Sequence, residues 1–510
     1  MSDGNFGVTT MDFNKATQVN GLPVVIAARK ANFLFNKEMI CLGAGITSSY
    51  SLAPTTTTLN QSYLKGSVLV NGATVPPRDN TYNDVRWIYH EGTGYVFRSN
   101  TTAKMKTNFQ SGNWYTIKQA QTNETVTADV FKLWLDHGNA PSNATYKYAV
   151  LPNFTSSETS IYATNMPVET VSNTSSLQAV SHKTLKQTGA ILYLAGTVDI
   201  NETLKVAVDK PCILLINWGA NPIKVTASDP NQTETTLNVI ISYSGLKSEI
   251  LTFPLPYSNA IGTSMTKTAA TTRLVDERFD NTTNMTAVAG GVWSLVGGEL
   301  ALSNPTSNAF STPANINVNN TPNTGDFIRT LRAKVMGTSS NLDVLCLVWN
   351  QQNPANSYYY VNINESNTAG KSGIFKVVNG FKSAQLANVT VTLIPDVWNN
   401  LELQKIGDVN KIFLNGELVS QLTDNTLTSG FVGLGFYDNT CSFNNLSVLK
   451  YNNNLMDTTN LPYDPTVNIL KFQSVDRDSD GVIIYPNPSS GKFNVKLNDS
   501  LTGANIKVFF

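Results

Sequence analysis

Charge, histidine and long apolar runs are what this sequence has little of. Across 510 residues, Lys plus Arg and Asp plus Glu number 36 each, charged residues make up 14%, and there are three histidines. A balanced formal charge with no basic block leaves nothing to track a phosphate backbone, which argues against a nucleic-acid partner. No apolar run approaches the roughly 20 residues that cross a bilayer as a helix. The opening "MSDGNFGVTTMDFNK" lacks the basic and apolar regions of a signal peptide. On these absences alone the chain reads as cytoplasmic, a reading that its tail reverses. Of the four cysteines, Cys41, Cys212, Cys346 and Cys441, none has CxxC spacing. The first three read as small buried apolar residues, and a Cys346–Cys441 bridge is the alternative if the compartment oxidises.

A helical apolar stripe is also missing. What is present is β pattern almost throughout. Stretches such as "GLPVVIAA", "GSVLVNG", "CILLINW", "TLNVIISYSG" and "NKIFLNGELVSQL" are short, rich in Val, Ile, Phe and Tyr, and bounded by Gly, Asn, Asp or Pro. The fold class is therefore all-β, as several sandwiches or jelly rolls. The pattern lapses in the Ser- and Thr-rich stretch 153–176, in "SNAIGTSMTKTAATTR" and between 451 and 481. This predicts units over 1–160, 172–256 and 274–450, a linker over 257–273, another over 451–480, and the start of a last unit over 481–510.

"GVTTMDF", "ARKANFLFNKEMICLGAGITSS", "TTTTLNQ", "RWIYHEGTGYVF", "SGNWYTI" and "LWLDHGNAPSNATYKYAVLPN" occur in that order between Gly7 and Asn153. Together they resemble the central β-sandwich of polysaccharide lyase family 8, the hyaluronate, chondroitin AC and xanthan lyases. One departure is Asn32, where the family usually has Trp. The block from about 177 to 255 resembles the smaller C-terminal β-domain of the same lyases.

The resemblance implies cleavage beside a uronic acid by β-elimination, with an Asn amide neutralising the carboxylate, Tyr and His moving protons and an Arg nearby. In the family these groups sit on an α/α toroid upstream of the β-sandwich, and nothing here resembles their motifs. No catalytic residue is therefore assigned. The chain is expected to be the C-terminal part of a lyase, its start at Met1 internal, and inactive by itself. The pair Asp136 and His137 mimics an acid and base, but neighbours on an extended segment point to opposite faces and do not pair. His90 and His182 read as turn or surface residues, with no ligand partners at metal-site spacing.

Residues 274–450 resemble laminin-G or concanavalin-like jelly rolls, chiefly through Trp398, Leu401, Ile412, Asn415 and Gly416. If exposed, Trp349, Tyr358, Tyr359 and Tyr360 would stack on sugar rings. The competing reading is that alternate members of the run face the core. "VIIYPNPSSGKFNVKL" resembles the start of the immunoglobulin-like C-terminal sorting domain of type IX secretion substrates in Bacteroidetes. It implies passage through the type IX secretion machinery to the cell surface or medium, and the chain stops inside that domain. Before it, Asp476, Asp478 and Asp480 precede Gly481 like the first half of a calcium loop. Asn487 stands where the loop's bidentate Glu belongs, so calcium binding and a solvated acidic linker both remain open; no other cofactor is expected. The expected partner is an acidic polysaccharide. The alternative to a lyase portion is a stand-alone sugar-binding or surface-display protein built on the same scaffold.

Overall fold

The computed structural model describes residues 1–457 apart from 20, 244–246, 280–284, 290–291, 304–313, 336–343, 353–355, 365–371, 392, 395 and 438–440, together with the backbone of Ile483–Pro486 and Phe493–Lys496. Its elements are antiparallel strands, as the alternating β-branched pattern predicts, apart from two 3-10 turns and the helix Ser156–Thr164.

The first ten-stranded sheet folds on itself through one long strand, Thr93–Asn113. Its start pairs with Ala144–Pro152, and from Lys104 onward it pairs with Thr125–Asn139. Inside this fold lie Val85, Tyr95, Phe97, Met105, Phe131, Leu133 and Tyr146. A second core is shared with the next unit: Val8, Phe33, Leu42 and Val96 meet Val180, Ile191, Ile213 and Leu215.

That second unit stacks a six-stranded sheet, from Val168–Asn173 to Met265–Thr268, on a five-stranded one that includes Gly196–Asn201 and Lys247–Pro254. The strands Gln187–Leu192 and Cys212–Asn217 are covered on both faces. Double burial is why "CILLIN" reads as an unbroken apolar run instead of an alternation. The third unit is a sandwich of two eight-stranded sheets around Phe327, Leu331, Trp349, Tyr359, Leu401 and Phe443. Three hairpins turn on Asn-Gly pairs, at 71–72, 379–380 and 415–416, with φ positive at both residues. This is the type I′ geometry that the right-handed twist of paired strands favours.

Three expectations are corrected here. The stretch 153–176 contains a helix: Thr155 caps it, accepting from the Glu158 N–H while the Glu158 carboxylate accepts from the Thr155 N–H. That reciprocal capping box nucleates Ser156–Thr164, and Tyr162 anchors it to the shared core. The linker expected over 257–273 includes Met265–Thr268, which pairs with Lys224–Ser228. Likewise Met456–Asp457 returns to pair with Lys247–Pro254. There the buried Lys247 ammonium lies 2.7 Å from Glu402 of the third unit and also pairs with Asp457, fastening the second and third units together.

Candidate functional site

A groove of about 480 Å³ opens where the first unit meets the strand Val168–Asn173. Asp136, His137, Tyr146 and Asn173 line it, so an Asn, a His and a Tyr do converge, the set that β-elimination would use. Each is already committed. Asp136 and His137 are engaged with different partners. The Asp136 carboxylate accepts from Lys104 Nζ at 2.6 Å and from the Gly138 N–H at 2.8 Å. Those two bonds hold it below the usual carboxylate range. His137 Nε2 lies 2.8 Å from Thr57 Oγ1. Burial lowers this imidazole from its ordinary value against the opposing pull of Asp136, so the ring is neutral at pH 7.

Asn173 uses its amide entirely within the protein. Nδ2 donates to the Gly43 and Tyr146 carbonyls at 3.1 and 3.0 Å, and Oδ1 accepts from Gln178 Nε2 at 3.0 Å. Tyr146 is buried, its ring packed near His137 and Tyr148. Burial, reinforced by Cys41, pushes its phenol well above the ordinary value. A base must be able to take up a proton near neutral pH and reach the substrate. This trio is instead a seam joining two units.

The other two histidines are not the turn or surface residues expected. Both end strands and are buried. His90 stacks on Phe131 with ring centroids 4.3 Å apart and accepts the Lys65 N–H at its Nε2. His182 Nε2 lies 2.7 Å from the Glu38 carboxylate across the junction between the first and second units.

The aromatic residues expected to stack on sugar are corrected as well. Trp349, Tyr358, Tyr359 and Tyr360 are at most 2% exposed. Trp349 and Tyr359 face each other across strands in the interior, centroids 5.5 Å apart, with Trp349 Nε1 donating to Asn410 Oδ1 at 3.1 Å. The Tyr359 hydroxyl donates to Asp424, whose other oxygen accepts from Lys376 at 2.7 Å. Tyr358 and Tyr360 lie on the opposite face with Val348, Phe375 and Val377. Period 2 assigns the faces correctly, and both faces are covered.

Some features went unrecognised in the sequence. Arg329, fully buried, donates Nη1 to the Val348 carbonyl at 2.9 Å, while its Nε and Nη2 have no partner among the described residues. Burial pushes it down to about 9. Two exposed aromatics lie near the tip of the long hairpin, where Phe109 and Trp114 are 61% and 59% exposed. The stretch "SGNWYTI" carries a turn signal that could have pointed to them. Among the described residues, no group of three or more His, Cys, Asp and Glu could hold a metal. Asp476, Asp478 and Asp480 lie outside the described residues, as does the Cys346 side chain and with it the suggested bridge.

Residues 1–163 match the polysaccharide lyase family 8 super-sandwich domain, and 169–238 match the C-terminal β-sandwich domain of that family. Residues 276–449 match the 3-keto-alpha-glucoside-1,2-lyase-like domain, a more specific likeness than the general jelly roll read from the sequence. Chondroitinase-AC from Pedobacter heparinus is 36% identical over 254 residues, 48% of this chain and 34% of that protein. Xanthan lyase from a Bacillus species is 29% identical over 45% of this chain and 25% of that protein. A solved chondroitinase AC lyase structure is 32% identical with a TM-score of 0.45, covering 50% of this chain and 40% of that one. The chain thus spans well under half the length of these relatives.

Proposed function

Since the chain carries both β-domains of polysaccharide lyase family 8, we propose that it is the supporting portion of a lyase that cleaves uronic-acid polymers of the hyaluronan or chondroitin type by β-elimination. The proton-transferring groups belong to a helical domain outside these 510 residues, and the chain by itself does not turn substrate over. The observation that carries this reading is the groove beneath the matched domain. His137 and Asn173 there are spent on internal bonds, and burial holds the Tyr146 phenol far above the range in which it could act as a base, so none of the three serves as a general base. The "YPNP" tail directs export through the type IX machinery to the cell surface or medium. A calcium ion at Asp476, Asp478 and Asp480 would order the linker before that tail.

Three experiments test the proposal. Purified chain incubated with hyaluronan, chondroitin and xanthan is expected to give no unsaturated uronate products, and turnover would overturn the assignment of the chemistry to another domain. The DNA upstream of codon 1, read in frame, is expected to encode an α/α toroid. A ribosome-binding site immediately before codon 1 would favour instead a stand-alone sugar-binding protein. Deleting 481–510 is expected to keep the protein inside an exporting cell.

A further inference from the structure

A cavity of about 980 Å³ lies between the second unit and the jelly roll, beside the His137 groove but distinct from it. We propose that this cleft binds an acidic oligosaccharide. Five basic side chains line it, Lys183, Lys186 and Lys205 on one wall and Arg278 and Arg332 on the other, against Glu169, Asp199 and Glu202. In a chain whose 36 basic and 36 acidic residues balance, this is a local positive surplus facing an open space of small-ligand size. Two of the three carboxylates are already paired, Glu169 with Lys183 at 2.9 Å and Asp199 with Lys205 at 3.0 Å. Among the described residues Lys186 and Arg332 have no carboxylate partner.

The backbone of Lys186 and the guanidinium of Arg332 are held in place. Lys186 sits in a left-handed turn, φ 52°, with its carbonyl accepting from the Trp218 and Gly219 N–H groups at 3.0 and 3.1 Å. Trp218, which lines the cleft, is itself pinned by its Nε1 bond to Thr188 and by Arg273 on its carbonyl. Arg332 rises from the strand Phe327–Val335 with its guanidinium carbon 5.1 Å from the Trp398 ring centre. Asn445, which also lines the cleft, has a buried Oδ1 with no hydrogen-bond donor among the described residues. A buried acceptor left unsatisfied is costly unless a ligand or water supplies the donor.

Dispersed cations, a wanting acceptor and neighbouring amides at Asn201 and Asn444 suit a ligand that is rich in hydroxyls and sparsely anionic. A nucleic acid would call for a denser cationic track. The choice of a uronate as the anion rests on the lyase reading, whereas the cleft and its charge do not. Val171 lines both this cleft and the His137 groove, so a chain seated here borders the family 8 domains.

The test is calorimetric titration of the intact chain with a chondroitin tetrasaccharide and with neutral cellotetraose. The acidic sugar is expected to bind, more weakly as salt rises, and the neutral one to bind less. The double substitution Lys186→Gln with Arg332→Gln is expected to weaken binding by about tenfold, and Asn445→Ala to weaken it independently of salt. Lys186→Arg with Arg332→Lys is expected to retain it. Unchanged thermal unfolding of each variant establishes that the fold is intact. Failure of the acidic sugar to bind, equal binding of the neutral one, or a double variant within about twofold of the wild type would overturn the proposal. Any of these results would leave the lyase reading standing, since that is decided by product formation and the upstream frame.

Discussion

Replacing Gly43 by Ala probes the seam around His137 most directly. Gly43 lies opposite Tyr146 in the pairing of Met39–Ser48 with Ala144–Pro152. A Cβ at 43 would meet Tyr146 Cε1 at 2.1 Å and both Cδ1 and Cζ at 2.5 Å. Carbon atoms rest about 3.5–4 Å apart, so the ring must retreat by more than about 1 Å. It has little room to do so, because Tyr148 and His137 flank it and its backbone carbonyl is tied to Asn173. Overpacking of this kind costs about 1–3 kcal/mol, and a contact this short with a rigid ring belongs at the upper end. Tyr146→Leu shortens the side chain and makes room for the methyl, so the double variant should be more stable than the sum of the singles by about 1–2 kcal/mol. Native-state hydrogen exchange on the amides of Met39–Ser48 and Ala144–Pro152 reads the opening free energy of these two strands. A Gly43→Ala protein within about 0.5 kcal/mol of the wild type, or a cycle with no coupling, would show that the ring does not fill the space ascribed to it.

Four further outcomes are expected. Asn173→Ala strands two carbonyls and the Gln178 amide, and should destabilise the same strands by roughly 2–4 kcal/mol in hydrogen exchange; no effect would mean that water replaces the amide freely. His90 and His137 both titrate below their ordinary 6.5 in the folded protein because they are buried. The unfolded chain therefore binds more protons, and stability should fall as pH drops through about 6.5. The urea midpoint measured between pH 8 and 5 checks this, and a midpoint that rises on acidification contradicts it. Arg329→Met removes a buried cation whose Nε and Nη2 have no partner among the described residues, and should raise the melting temperature of the jelly roll; a large drop would reveal a partner for those groups. Trp349→Ala should cost about 3–5 kcal/mol in jelly-roll unfolding, and a stable variant that had lost only sugar binding would return Trp349 to the role first read for it.

Much of the architecture was legible because its causes are local. Alternating β-branched residues bounded by Asn-Gly turns impose hairpins wherever they occur, as at Asn415 and Gly416. The capping box at Thr155 and Glu158 was equally local, yet it sat inside a Ser- and Thr-rich stretch that composition alone assigns to a connection. The burial of Tyr358 and Tyr360 was of another kind. Alternation states which residues share a face of a sheet, and says nothing of whether that face is covered.

By itself, then, the sequence determined the class of fold, the hairpin turns and the likeness to the lyase β-domains, since each depends on neighbours within one or two strands. Only the tertiary structure decided that Asn173 and His137 at the first groove are bonded within the protein and that Tyr146 is buried beside them, and that Lys186 and Arg332, far apart along the chain, face a common cleft. Those facts follow from how separate sheets pack, and packing pairs residues whose separation along the chain carries no periodic signal.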